Sequence, residues 1–169
     1  MMVVAPQDKD YLKEAVTLLR ELIATPRVSR EEREAADLME RRMEGWGLAP
    51  RREGNNVWGV CPDYDELRPT VLLNAHIDTV KAVATWTRQP LVPTLEGDRL
   101  YGLGANDCGG GLVTLLMTYR RLLKRSRAYN IIYLASAEEE VSGRDGIARV
   151  LPLLPRVDVA IVGEPTGLQ

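Results

Sequence analysis

The 169-residue sequence contains no phenylalanine, one histidine and two cysteines. Cys61 and Cys108 are isolated and far apart, which leaves no disulfide framework and no cysteine-knuckle metal site. A reducing cytoplasm suits such a chain better than an oxidising compartment. No apolar run nears the roughly 18 to 20 residues that span a bilayer. The opening Met1-Met2-Val3-Val4-Ala5-Pro6 lacks the basic start and apolar length of a secretory leader. Neither sign of charge dominates, since 22 Lys and Arg meet 24 Asp and Glu. The basic residues are scattered, which argues against nucleic acid and against a membrane surface as partners.

What remains is the composition of an ordinary globular domain, 45% apolar and 27% charged. A chain of this size buries about 70% of its unfolded surface. Leu12, Ala15, Val16, Leu19, Leu22 and Ile23 form the stripe of an amphipathic helix over 8–24, which Pro26 stops. Ser29 followed by Glu32 reads as a capping box that opens a second helix to about Glu44. Gly54-Asn55 is a turn before a strand over 56–61. The β-branched, apolar segments at 70–75, 130–137 and 157–162 read as buried strands. Residues 91–101 read as a hairpin, and a helix with Leu112, Leu115, Leu116, Tyr119, Leu122 and Leu123 inward follows the glycines. A short helix is expected around 143–151. The alternation predicts an α/β sandwich of three layers with a largely parallel central sheet, and no internal repeat.

This pattern has a chemical consequence. His76, Glu138–Glu140 and Glu164 each fall just beyond a predicted strand end, and Asp107 opens a helix. Open α/β sheets bind ligands outside the carboxyl ends of their strands. His76-Ile77-Asp78 pairs an imidazole with a carboxylate able to fix its tautomer, the usual support of a metal-bound histidine. On its own the pair fits a hydrogen-bonded histidine at a strand end equally well.

Gly102-Leu103-Gly104-Ala105-Asn106-Asp107 resembles a dinucleotide loop, but Asp107 stands where the third glycine belongs and would repel a pyrophosphate. A carboxylate there suits a cation, or simply an N-cap. Gly109, Gly110 and Gly111 would let the helix start pack closely beneath a metal site. Glu138, Glu139 and Glu140 end a buried strand, where adjacent carboxylates can divide the work of metal ligand and general base. A solvated acidic turn is the alternative. Glu164, between Gly163 and Pro165, is held extended, as in many ordinary turns.

In this order and spacing the four segments resemble the zinc metallopeptidase and deacylase family of acetylornithine deacetylase, succinyl-diaminopimelate desuccinylase, carboxypeptidase G and aminoacylase. The resemblance runs over nearly the whole chain, and Gly163-Glu164-Pro165-Thr166 leans toward the deacetylase and desuccinylase branch. It implies a cytoplasmic hydrolase of arginine biosynthesis that removes a small acyl group from an N-acyl amino acid, most like N-acetylornithine, with two zinc ions that cobalt can replace. His76 and Glu164 would bind the first zinc. Asp107 would bridge to a second zinc roughly 3.5 Å away. Glu140 would bind that second ion, Glu139 would act as general base, and Asp78 would orient His76. A one-residue slip would move the base to Glu138 and the ligand to Glu139. The resemblance also implies a cis peptide between Asp107 and Cys108.

Departures from the family pattern are Gly109, where a lysine is common, and Cys108, where a larger residue is common and where the thiol is itself a possible ligand. The family's second zinc also takes a histidine from near the C-terminus, and a further histidine from an inserted domain stabilises the oxyanion. With one histidine, residues 1–169 are expected to be the first part of a catalytic domain. The lid or dimerisation domain and the rest of the catalytic domain would be absent. The expected chain is inactive alone and belongs to a homodimeric parent. A non-catalytic zinc-binding module of the same fold is the competing reading, and a dipeptidase-type enzyme of the same family is another.

Overall fold

The computed structural model describes residues 6–167. Helix α1 spans Pro6–Ala24 and α2 spans Arg33–Gly45. A hairpin of β1, Arg51–Glu53, and β2, Asn56–Val60, follows, turning at Gly54 with φ of 59°. Strand β3, Thr70–His76, leads to the small hairpin of β4, Thr94–Glu96, and β5, Arg99–Tyr101. After a wound loop over Ala105–Gly110 comes α3, Gly111–Leu122, and then β6, Asn130–Ser136. The chain continues through a one-turn helix α4, Ile147–Val150, to β7, Val159–Val162. No helix among the described residues is long and apolar enough to cross a membrane.

Five strands form one sheet in the order β1-β2-β6-β3-β7. The pairings of β6 with β3 and of β3 with β7 are parallel, and the two on the β1 side are antiparallel. The sheet is therefore mixed, and its parallel half builds the site. There, register sets His76 beside Ser136 and Asn74 beside Val162, so three strands end on one edge.

Helices α1, α2 and α3 cover one face. Leu18, Leu22, Met39, Met43, Leu112 and Leu116 pack there on Leu73, Ala75, Ile131, Tyr133 and Ala135. With no phenylalanine available, Tyr119 and Tyr133 supply the core rings, 6.1 Å apart. The buried Tyr133 hydroxyl donates to the Leu112 carbonyl at 3.1 Å. Arg120 lies over the rings of Trp46 and Tyr11 and pairs with Glu14, which joins the three helices.

Three expectations need correction. The capping box does not form, because α2 starts at Arg33 and its cap, Glu32, makes no side-chain capping bond. The Ser29 hydroxyl donates instead to Asp78 and Glu32 receives the Glu138 amide, so tertiary partners displace the local pairing. The third buried strand is exposed: Val159, Ile161 and Val162 of β7 are 54%, 49% and 54% accessible. β7 pairs with β3 on one side, and among the described residues the second face of the sheet carries a small cluster in which Val150, with Leu154 and Val157, packs on Trp58, Leu72, Ile132 and Leu134. The third layer of the sandwich is thus thin, and the helix expected over 143–151 is a single turn.

Candidate metal centre

His76 is the last residue of β3 and is 1% exposed. Its Nδ1 faces Asp78, 3.0 Å from the backbone carbonyl and 3.3 Å from Oδ1. Only acceptors lie on that side, so Nδ1 can donate there. Nε2 faces the acids, 3.1 Å from Asp107 Oδ1, 3.6 Å from Glu164 Oε1 and 3.9 Å from Glu139 Oε2. Both nitrogens thus face acceptors, and a cation among the acids would take the Nε2 proton's place while Asp78 held the ring from behind, as with a histidine ligand supported by a second partner. Burial opposes its charging, but the hydrogen bond and charge of Asp78, with Glu164 and Asp107, raise its pKa to about 9.

Asp78 is fully buried. Burial opposes its ionisation, yet bonds from His76, Ser29 and the Glu139 and Glu140 amides hold it below the usual carboxylate range. Those two amides lie 3.1 Å from its oxygens. One carboxylate therefore fixes both the imidazole and the acidic turn that follows β6. Burial, and then the neighbouring Asp107 charge, raise Glu140; burial also raises Glu164, where His76 opposes the shift and Asp107 adds to it. Carboxylates gathered this closely with one imidazole are short of positive charge.

His76, Asp107 and Glu140 bring donor atoms within 4.8 Å of one another, and so do His76, Cys108 and Glu164. Nitrogen and carboxylate donors at this spacing fit zinc, and the imidazole nitrogen common to both groups serves one ion. The Cys108 thiol donates to the Gly163 carbonyl at 3.3 Å, and burial pushes it up to about 12. The Asp107–Cys108 peptide is cis. Glu138 stays out of the cluster, since its carboxylate accepts the Asp145 amide at 3.3 Å beside Gly143. All six residues singled out in the sequence, His76, Asp78, Asp107, Glu139, Glu140 and Glu164, thus converge on one edge of the sheet.

Glycine makes the convergence possible. A Cβ on Gly111 would lie 2.0 Å from the Gly163 carbonyl oxygen. The start of α3 therefore touches the backbone before Glu164 directly. Gly111→Ala is expected to lower the unfolding free energy by about 1–3 kcal/mol through overpacking. Gly45→Ala, with nothing within 4 Å, should change it by less than about 1 kcal/mol. Paired urea titrations check this, and equal midpoints for the two variants would show that the close approach is not required.

Sequence reading missed the residues beneath the site. Arg27, Ser29, Glu32 and Asn56 bond to its loops across 49 to 106 residues of chain. The only local signal was a polar side chain placed next to Pro26 or at a strand start.

Comparison with known proteins places this geometry in context. Residues 72–169 match the model described as peptidase family M20/M25/M40. An acetylornithine deacetylase of Salmonella typhimurium is 33% identical over 176 residues, covering 95% of this chain and 45% of that protein. A succinyl-diaminopimelate desuccinylase of Buchnera aphidicola is 27% identical over 164 residues, covering 90% and 43%. The chain thus spans less than half the length of these curated relatives. Among solved structures, the M20 family metallo-carboxypeptidase Sso-CP2 from Sulfolobus solfataricus superposes with a TM-score of 0.73 at 24% identity, covering 89% of this chain and 37% of that one. The Bacillus subtilis YXEP protein, described as a dinuclear metal binding peptidase, gives 0.67 at 18% identity, covering 91% and 43%. At these identities the structural likeness establishes the fold.

Proposed function

Because the chain belongs to peptidase family M20/M25/M40, we propose that it contributes the metal centre of an amidohydrolase that removes a small acyl group from an N-acyl amino acid. The observation that carries this reading is the convergence of His76, Asp107, Glu140 and Glu164 around one imidazole nitrogen, with Asp78 behind it. His76 and Glu164 would hold a first metal ion, zinc by the donor set, and Glu140 would hold a second, with Asp107 available to both. The YXEP description as dinuclear supports a pair of ions.

When bound, the ions polarise the amide carbonyl and lower the pKa of water. The chain's own residues do the rest. Asp78 would keep the His76 Nδ1 proton in place, which would leave Nε2 to a metal ion. Glu139, with a half-exposed carboxylate 3.9 Å from Nε2, takes the proton from the attacking water and delivers it to the leaving amine. Glu138, turned toward Asp145, takes no part, which favours the register with Glu139 as base and Glu140 as ligand.

N-acetylornithine is the proposed substrate. The Gly163–Thr166 segment and the 33% identity to the Salmonella deacetylase support it. A place in arginine biosynthesis and in the cytoplasm follows from that choice. The desuccinylase relative favours a second reading, N-succinyl-diaminopimelate. Turnover of the two substrates, measured side by side after zinc loading in a longer form of the protein that carries the second ion's remaining ligand, decides between them. A kcat/KM at least tenfold higher for N-acetylornithine is expected. The reverse preference would replace the deacetylase by the desuccinylase reading. Turnover of neither substrate in any form of the protein that binds zinc would favour a non-catalytic module.

A further inference from the structure

Beneath the acidic cluster lies a cation that no motif marked. Arg27, in the connection between α1 and α2, is 2% exposed. Its Nη1 donates to the Ile77 carbonyl at 2.6 Å, and its Nη2 donates to the Gly104 carbonyl at 2.9 Å. The first carbonyl belongs to the residue after His76. The second opens the loop that carries Asp107, and it also accepts the Gly109 amide at 3.0 Å. The Arg27 carbonyl in turn accepts the Thr79 amide at 2.9 Å.

The surrounding loop is shaped to this group. A Cβ on Gly104, whose φ is 67°, would lie 2.4 Å from Nη2, and one on Gly109 would lie 3.3 Å from it. A planar guanidinium can donate to two fixed acceptors at once, which a lysine ammonium at the end of a flexible stem does less well. Burial lowers the Arg27 pKa to about 10, with Asp78 among the groups opposing the shift, so it is charged at neutral pH. The same connection supplies Ser29, whose hydroxyl donates to Asp78 at 2.7 Å, and the buried Glu32, which receives the Glu138 amide at 3.1 Å. Residues 27–32 therefore touch the loops that carry His76, Asp107 and the acidic turn.

We propose that Arg27 is a positioning residue of the metal centre: its two donors lock the end of β3 to the Asp107 loop, setting His76 Nε2 and the Asp107 carboxylate 3.1 Å apart and ready to share an ion. This rests on the metal-binding reading above. Arg27 touches neither substrate nor ion, and it acts through two backbone carbonyls.

The test is cobalt(II) titration of the 169-residue chain, read by the visible spectrum, which reports coordination geometry, together with thermal unfolding of the metal-free protein. Loss of an outer partner that bonds a metal ligand directly typically weakens binding about 10- to 100-fold, and Arg27 stands one bond further back. Arg27→Gln is expected to raise the cobalt Kd by about 10-fold, the lower end of that range, and to alter the spectrum. Arg27→Lys should fall between it and the parent. Val150→Ala, a truncation in the separate small cluster on the other face of the sheet, should melt earlier yet keep the parent Kd and spectrum, which separates positioning from general stability. If Arg27→Gln does not fold, Arg27→Lys decides by the same readings. Parent-like Kd and spectrum in the folded Arg27 variants would overturn this proposal alone. So would failure of both variants to fold, which would make Arg27 a purely structural residue. A parent chain that binds no cobalt overturns the metal reading and this one with it.

Discussion

Replacing His76 with alanine is expected to abolish tight metal binding by the chain. His76 is the only imidazole in the sequence and belongs to both groups of converging donors. Asp107 Oδ1 and Glu164 Oε1 lie within 3.6 Å of its Nε2. Without it the ion would be left to carboxylates that repel one another, with burial already raising Glu140 and Glu164. Removing an outer partner of a ligand costs about 10- to 100-fold in affinity, so removing the ligand itself should cost more than 100-fold. Calorimetry or competition with a chromophoric chelator measures this. The parent should bind one zinc tightly and a second weakly, because a single imidazole completes one neutral-nitrogen site. Two equally tight ions per chain, or retention of the tight ion by His76→Ala, would refute the ligand assignment.

The second large effect separates two neighbouring glutamates. Glu139→Gln should leave zinc content unchanged while lowering kcat about 10²- to 10⁴-fold, the usual worth of a positioned proton-transfer group. Glu140→Gln should instead lose metal, since a neutral amide replaces a carboxylate grouped with His76 and Asp107. The comparison is made in a full-length form of the protein, since the 169-residue chain alone is expected to show no turnover. Zinc content and turnover are read on the same preparations. Metal loss by Glu139→Gln with retention by Glu140→Gln would reverse the two roles. Unchanged turnover in both variants would remove the catalytic assignment.

The residues that converge were legible because each sits at an element boundary that the sequence marks. Thr70-Val71-Leu72-Leu73 and Ile131-Ile132-Tyr133-Leu134 read as strands by composition, and parallel pairing then leaves no choice about which edge receives His76 and the acidic turn. The glycines around Asp107 foretold a close approach, and Gly111 against Gly163 is that approach. The pair Ser29 and Glu32 misled. Their spacing is that of a helix cap, yet Asp78 and the Glu138 amide, 49 and 106 residues away, offered buried partners that a solvent-exposed cap cannot match. The strand at 157–162 was misjudged for a related reason. An apolar run shows that a strand forms, whereas its burial depends on what packs against it, and β7 has β3 along one side only.

By itself, then, the sequence determined four of the five strands of the sheet, β1 excepted, and which titratable residues lie at their C-terminal ends, because periodicity and local turn chemistry act over a few residues. The tertiary structure alone decided that Asp78 serves the imidazole and the acidic turn together, that Glu138 points away, and that Arg27 joins Ile77 to Gly104. Those contacts link segments up to 77 residues apart, and the choice among equivalent donors and acceptors is made only when folding brings them into one buried space where every polar group must find a partner.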